Sequence, residues 1–269
     1  MDETTKVPYN RLLNRRALVT GGGAGIGRAI CLALAAEGAH VTIADVNEST
    51  SSSVVKEINL LGRKSTFVKC DVSKVSDIER TVEEQVKLFG GIDILCNNAG
   101  VSRMKWVIDV TEEDYDWNMD IIAKGTFFMS QEVGKQLIKQ GSGGRIINTA
   151  SIASFKGSEI LSDYSAAKAA VVIHTISFAK YLAKYNITVN AVCPGLVKTS
   201  MQEREIKWES ELRGQTEEEI KQQYLRITAL GRLEDPEDVA KVVAFLASDD
   251  AAFITGQSII VDGGIMLHI

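Results

Sequence analysis

Tyr164 and Lys168 stand four residues apart in a segment of helical apolar spacing, residues 162–184, so their side chains share one face. A free phenol has a pKa near ~10 and exchanges protons poorly at neutral pH. A neighbouring ammonium favours the phenolate, which makes Tyr164 usable as an acid or base. Ser151 follows a strand-like run, and its hydroxyl is suited to steadying a substrate oxygen. The Tyr-x-x-x-Lys pair taken alone fits a solvated helix face equally well, because both residue types are common there.

A second group of residues narrows the choice. In residues 16–45 a short apolar run, Ala17-Leu18-Val19, meets glycines spaced Gly21-x-x-x-Gly25-Ile26-Gly27. An apolar helical pattern follows as far as Gly38, and then a second apolar run ends on Asp45. This is a strand–turn–helix–strand unit. Glycine permits the sharp turn and lets backbone approach a pyrophosphate, and the helix N-terminus presents free N–H groups to it. A carboxylate at the next strand end, Asp45, is placed to accept from the hydroxyls of an adenosine ribose.

These residues need a frame. Helix patterns at about 48–61, 74–89, 112–139, 162–184 and 235–248 alternate with strand patterns at 64–70, 92–96, 145–148, 187–192 and 258–261. Such alternation predicts an α/β fold, a Rossmann-type doubly wound parallel sheet with helices on both faces. Ligands then bind beyond the carboxyl ends of the strands, where nearly every polar or glycine-rich motif of this chain falls. Residues 1–14 read as an N-terminal tail and 15–269 as one domain. The charged stretch 196–230 interrupts the rhythm and reads as a substrate loop or lid.

Composition sets outer limits. The 269 residues are 45% hydrophobic and 24% charged, with net charge −5, which gives nucleic-acid binding no electrostatic support. The four cysteines lie apart and lack metal-ligand spacing, so no metal is expected and buried thiols in a reducing compartment are. No apolar run approaches the ~20 residues that span a bilayer, and the N-terminus lacks an apolar signal core. The expectation is a soluble, cytoplasmic protein without a membrane partner.

Taken in order, TGGGAGIG (20–27), Asp71-Val72, NNAG (97–100), Ser151, Tyr164-x-x-x-Lys168 and Pro194-Gly195 resemble the short-chain dehydrogenase/reductase family from Arg16 to Gly264. The resemblance implies an oxidoreductase using a nicotinamide dinucleotide, a sheet of about seven strands and a homotetramer. It implies Tyr164 as acid/base, Lys168 as the group lowering its pKa and holding the nicotinamide ribose, and Ser151 as the substrate-oxygen anchor. It places Asp71 and Val72 against the adenine and Asn97, Asn98 and Gly100 along the adenosine. Pro194, Gly195, Val197 and Thr199 would border the nicotinamide. With Asp45 repelling a 2′-phosphate and no basic residue at Ala24 or Val46, the expected cofactor is NAD.

The segment after Pro194 is most similar to acetoin/diacetyl reductases and to polyol or sugar dehydrogenases. That resemblance implies a secondary alcohol, whether polyol, sugar or hydroxyketone, as the small-molecule substrate. Arg103, Lys105 and Lys156 follow strand ends and raise an alternative, an anionic phospho-, sulfo- or carboxy-sugar. There is one departure from the family pattern. Ile122 stands where the family usually has an Asn, at an irregular helical turn whose carbonyl helps hold a water leading to the Lys. A β-branched apolar residue there would favour a regular, drier turn. It leaves open a weakly catalytic NAD-binding sensor or scaffold.

Overall fold

The seven apolar runs become strands because buried backbone needs a hydrogen-bond partner on each side, and a sheet supplies both. The computed structural model describes residues 10–268. Its strands are β1 (Arg16–Thr20), β2 (His40–Asp45), β3 (Ser65–Lys69), β4 (Ile94–Asn97), β5 (Gly144–Thr149), β6 (Ile187–Pro194) and β7 (Ser258–Val261). All pair in parallel, in the order β3-β2-β1-β4-β5-β6-β7. The order reverses direction between β1 and β4, and the cleft opens beyond the carboxyl ends at that point.

The helices cover both faces. On one lie α1 (Gly25–Ala36), α2 (Glu48–Leu60) and α9 (Pro236–Ala247), with Ile30, Leu34, Val54, Val239 and Val243 packed on Val19, Val41 and Ile43. On the other, α3 (Val75–Phe89), α5 (Gly125–Gln140) and α6 (Ser162–Leu182) bury Ile78, Met129, Val133 and Leu182 against Leu18, Leu95 and Ile146. The cysteines Cys31, Cys70, Cys96 and Cys193 are free and buried, as expected. No helix among the described residues is long and apolar enough to cross a membrane.

Two expectations change here. Of the expected tail, residues 1–9 lie outside the described residues, but residues 10–14 are packed. Leu12 is fully buried, and Arg11 pairs with Glu37 and Asp250. The helix expected over about 112–139 is three pieces: α4 (Glu112–Asn118), a π-helical turn (Met119–Lys124) and α5. Residues 196–230 hold two further helices, α7 (Ser200–Arg213) and α8 (Glu217–Ile227), capped by Thr199 and Thr216.

Candidate active site

The glycine turn works by exclusion of side chains. A Cβ on Gly27 would lie 2.0 Å from the Gly21 carbonyl oxygen, so α1 could not start so close to β1. Gly21 itself has φ +63°, a conformation that costs a side-chain-bearing residue about 1–2 kcal/mol. Asn98 braces the turn from β4: its amide donates to the Thr20 and Gly21 carbonyls, and Thr20 Oγ1 accepts from the Asn98 and Ala99 N–H groups. Asp45 Oδ2 accepts from Gly23 N–H and Oδ1 from Asn47 N–H, each at 2.9 Å. Its carboxylate is therefore fixed at the cleft rim.

One cleft gathers nearly every residue singled out from sequence. Gly21, Gly25, Ile26, Gly27 and Asp45 line one end, and Asp71, Val72, Asn98 and Gly100 its wall. Ser151, Tyr164, Lys168, Pro194, Gly195, Val197 and Thr199 complete the other end. Asn97 is not among the lining residues. Its amide turns into the core and donates to Ser130 Oγ and Asn148 Oδ1.

Lys168 reaches back from α6 and donates to the Thr149 carbonyl at 2.6 Å, with its Nζ 5.8 Å from the Tyr164 ring centroid. It is 4% exposed, and burial lowers its pKa to about 8. Tyr164 behaves differently from the expectation of a phenol made acidic by its lysine. Burial pushes its phenol well above the ordinary value, the Glu205 carboxylate pushes it further, and the nearby Ser151 hydroxyl pulls the other way. Tyr164 thus keeps its proton more firmly than a free phenol, and a protonated phenol can donate to a substrate oxygen.

Ile122 is fully buried among Ala150, Ala167, Val171, Ala191 and Cys193, and Tyr164 packs on that cluster. Its surroundings are apolar, but the regular helix expected of it is not formed. The π turn persists, with the Gly125 N–H donating to the Asp120 carbonyl five residues back. The turn is held by backbone and by an apolar pocket that Ile122 fills, so no side-chain amide is needed there. Asn118, one turn earlier, is committed elsewhere and donates to Asp163 at 2.7 Å.

The cations behind the anionic-substrate alternative are not in the cleft. Arg103 and Lys105 both bind the buried Asp114, holding its carboxyl well below the usual range, and Lys156 is an exposed surface residue. The structure adds residues that sequence reading passed over. Gln202 and Glu205 on α7 also line the cleft. Their spacing of three was visible in the sequence, but nothing in a Glu-rich stretch marks which carboxylate turns inward.

Glu234 is a further addition, and it holds the lower part of this wall. Its backbone bridges Leu196 and Lys198, and its carboxylate accepts from the Gly195 N–H at 2.9 Å. Burial, reinforced by Asp238 and Asp262, raises its pKa to about 7 from 4.5. A raised carboxyl pKa means the folded state binds the proton more tightly. The associated stability is full below about pH 4.5 and is lost as pH rises through about 7. Thermal melts should therefore show wild type losing Tm relative to Glu234→Gln between pH 5 and pH 8. Parallel melting curves across that range would contradict the assignment.

The combination of a switch-point cleft, a glycine turn and a Ser–Tyr–Lys cluster defines a nicotinamide-dependent oxidoreductase acting on alcohol and carbonyl groups. The chain belongs to the short-chain dehydrogenase/reductase family. A family model described as enoyl-(acyl carrier protein) reductase matches residues 21–266. A short-chain dehydrogenase/reductase of Armillaria gallica is 42% identical over 94% of this chain and 96% of its own. A diacetyl reductase [(S)-acetoin forming] of Staphylococcus epidermidis is 39% identical over 94% and 99%. The crystal structure of a short-chain type dehydrogenase/reductase from Mycobacterium marinum superposes with a TM-score of 0.88 at 31% identity, covering 96% of this chain and 97% of that one.

Proposed function

We propose that this enzyme transfers hydride between NAD and a secondary alcohol or its ketone, of the polyol, sugar or hydroxyketone class. The observation that carries the reading is the convergence of Ser151, Tyr164 and Lys168 in the cleft that also holds the glycine turn and Asp45. Gly21, Gly25, Ile26 and Gly27 would cradle the pyrophosphate, and Asp45 would take the adenosine ribose hydroxyls. Asp71, Val72, Asn98 and Gly100 would flank the adenosine side, and Pro194, Gly195, Val197 and Thr199 the nicotinamide side. When bound, the nicotinamide supplies the hydride acceptor or donor.

The protein's own part is proton handling at the substrate oxygen. The Ser151 hydroxyl holds that oxygen next to the Tyr164 Oη. In reduction the phenol donates its proton to the developing alkoxide, and in oxidation it takes the alcohol proton back. Lys168, tied to the Thr149 carbonyl, supplies positive charge that favours the phenolate when the proton leaves. The diacetyl reductase among the relatives is named for a reduction of this kind.

The same reading treats 15–269 as one domain, since the strands join a single sheet, and 196–230 as its substrate segment, of which residues between Leu196 and Glu205 line the cleft. A homotetramer in the cytoplasm follows from the family resemblance. Asp114's hold on Arg103 and Lys105 weighs against an anionic sugar, and the intact Ser–Tyr–Lys cluster weighs against a bare scaffold. Absorbance of reduced nicotinamide, followed with a panel of ketones, hydroxyketones, polyols and sugars, tests the proposal. Turnover is expected with uncharged hydroxyketones or diones, and none with any carbonyl or alcohol would overturn it.

A further inference from the structure

The backbone that would border the nicotinamide is tied from behind the cleft by one residue. Gly195, Leu196 and Val197 line the cleft between the end of β6 and the start of α7. Glu234, on the segment leading into α9, donates its N–H to the Leu196 carbonyl, and its own carbonyl accepts from the Lys198 N–H. Val197 and Glu234 thereby form a single parallel bridge. The Glu234 side chain adds a third tie: Oε2 accepts from the Gly195 N–H at 2.9 Å, an N–H shared with the Val261 carbonyl on β7. Of these ties, only the carboxyl group can change its charge.

The surroundings make that charge costly. Glu234 is 6% exposed, and its Oε1 has no hydrogen-bond partner among the described residues. Two acids press on it, Asp238 from α9 and Asp262 just after β7, while Arg232 in the preceding loop acts the other way. Arg232 is half-exposed and paired with Asp235 and Asp238, and Lys198 is paired with Asp235, so neither cation is bonded to Glu234. Asp262 spends its own oxygens on the Gly264 and Met266 N–H groups. A buried carboxylate with one unpaired oxygen and no bonded cation is disfavoured against the neutral acid, which still offers Oε2 to Gly195.

We infer that Glu234 positions the cofactor loop through one proton: the neutral acid holds residues 195–198 against the cleft, and ionisation releases them and weakens cofactor binding. Release lets water reach the carboxylate and returns it toward its ordinary value of 4.5. The held loop thus binds the proton more tightly than the released one, and a rise of pH through about 7 favours release. A single proton limits the effect to ~tenfold per pH unit. The link to the cofactor rests on the oxidoreductase reading above, whereas the holding of the loop does not.

Two measurements, run from pH 6 to pH 8.5 on wild type, Glu234→Gln and Glu234→Ala, test this. The first is hydrogen exchange of residues 195–199 without cofactor, with the proteins compared at the same pH so that intrinsic exchange rates cancel. Wild type should match Glu234→Gln at pH 6 and exchange about three- to tenfold faster at pH 8.5, within the one-proton limit. Gln keeps an acceptor for Gly195 without a charge, so its loop stays held throughout. Ala removes the acceptor, so its loop should be loose at every pH. The second is the Kd for NADH, read by reduced-nicotinamide fluorescence. The wild-type Kd should rise about three- to tenfold relative to that of Glu234→Gln over the same range. Lys168, Tyr164 and Glu205, the titratable groups of the reacting end, are present in both proteins and drop out of that ratio.

Parallel exchange in wild type and Glu234→Gln across the range would overturn the holding role, as would an Ala loop as protected as wild type at pH 6. Faster wild-type exchange at high pH with no change in relative Kd would overturn the link to the cofactor. Failure of every protein to bind NADH or NADPH would instead overturn the oxidoreductase reading, and hydrogen exchange would still decide the role of Glu234.

Discussion

Replacing Tyr164 by Phe is expected to lower kcat by about 10²–10⁴-fold, the contribution of a positioned acid or base. The change removes one oxygen and little else. The ring packs against the apolar cluster around Ile122, and Phe keeps that packing. Lys168 keeps its bond to the Thr149 carbonyl, and the glycine turn and Asp45 lie at the far end of the cleft. NADH affinity, read by quenching of reduced-nicotinamide fluorescence, should stay within about threefold, a difference below 1 kcal/mol. A Phe variant that retains more than about a tenth of wild-type turnover would show that another group carries the proton.

The charge of Glu205 adds a pH signature to the same residue. Removing it relieves one of the two influences that raise the phenol. In Glu205→Gln the rise of alcohol oxidation with pH should therefore begin at lower pH than in wild type.

Cofactor choice is the second large effect. With wild-type enzyme, kcat/KM for NADH should exceed that for NADPH by at least about 100-fold. Placing a 2′-phosphate beside a fixed carboxylate costs several kcal/mol, and each 1.4 kcal/mol is tenfold. Asp45 is fixed in this sense, because two backbone N–H groups hold its two oxygens. The residues on either side, Ala24 and Val46, line the cleft and carry no charge. The nearest basic candidate on α1, Arg28, is engaged by Glu57. An Asp45→Ser, Val46→Arg double variant should swing the ratio toward NADPH by a similar factor, since Val46 is 63% exposed and has room for a guanidinium. Preference of the wild type for NADPH would contradict this assignment.

Local chemistry in the chain determined a good deal. Glycines at 21, 25 and 27 between two apolar runs admit few structures other than a tight turn into a helix. Alternating strand and helix periods lead to a parallel sheet with its loops at one rim. Tyr164 and Lys168, four apart on a helix, share a face whatever surrounds them. The order of these motifs carried the family resemblance, and nearly all the residues so marked line one cleft.

Tertiary structure decided what depends on neighbours far along the chain. Arg103 and Lys105 look like pocket cations until Asp114, buried on α4, takes both. Asn97 turns inward because Ser130 and Asn148, from other elements, offer it partners there. At the π turn, Ala150 after β5 and residues from β6 and α6 build an apolar pocket around Ile122. The upward shift of the Tyr164 phenol comes from burial and from Glu205, forty-one positions later, and no local spacing encodes that. Periodicity fixes which face a side chain shares, but charge pairing and desolvation are properties of the assembled site.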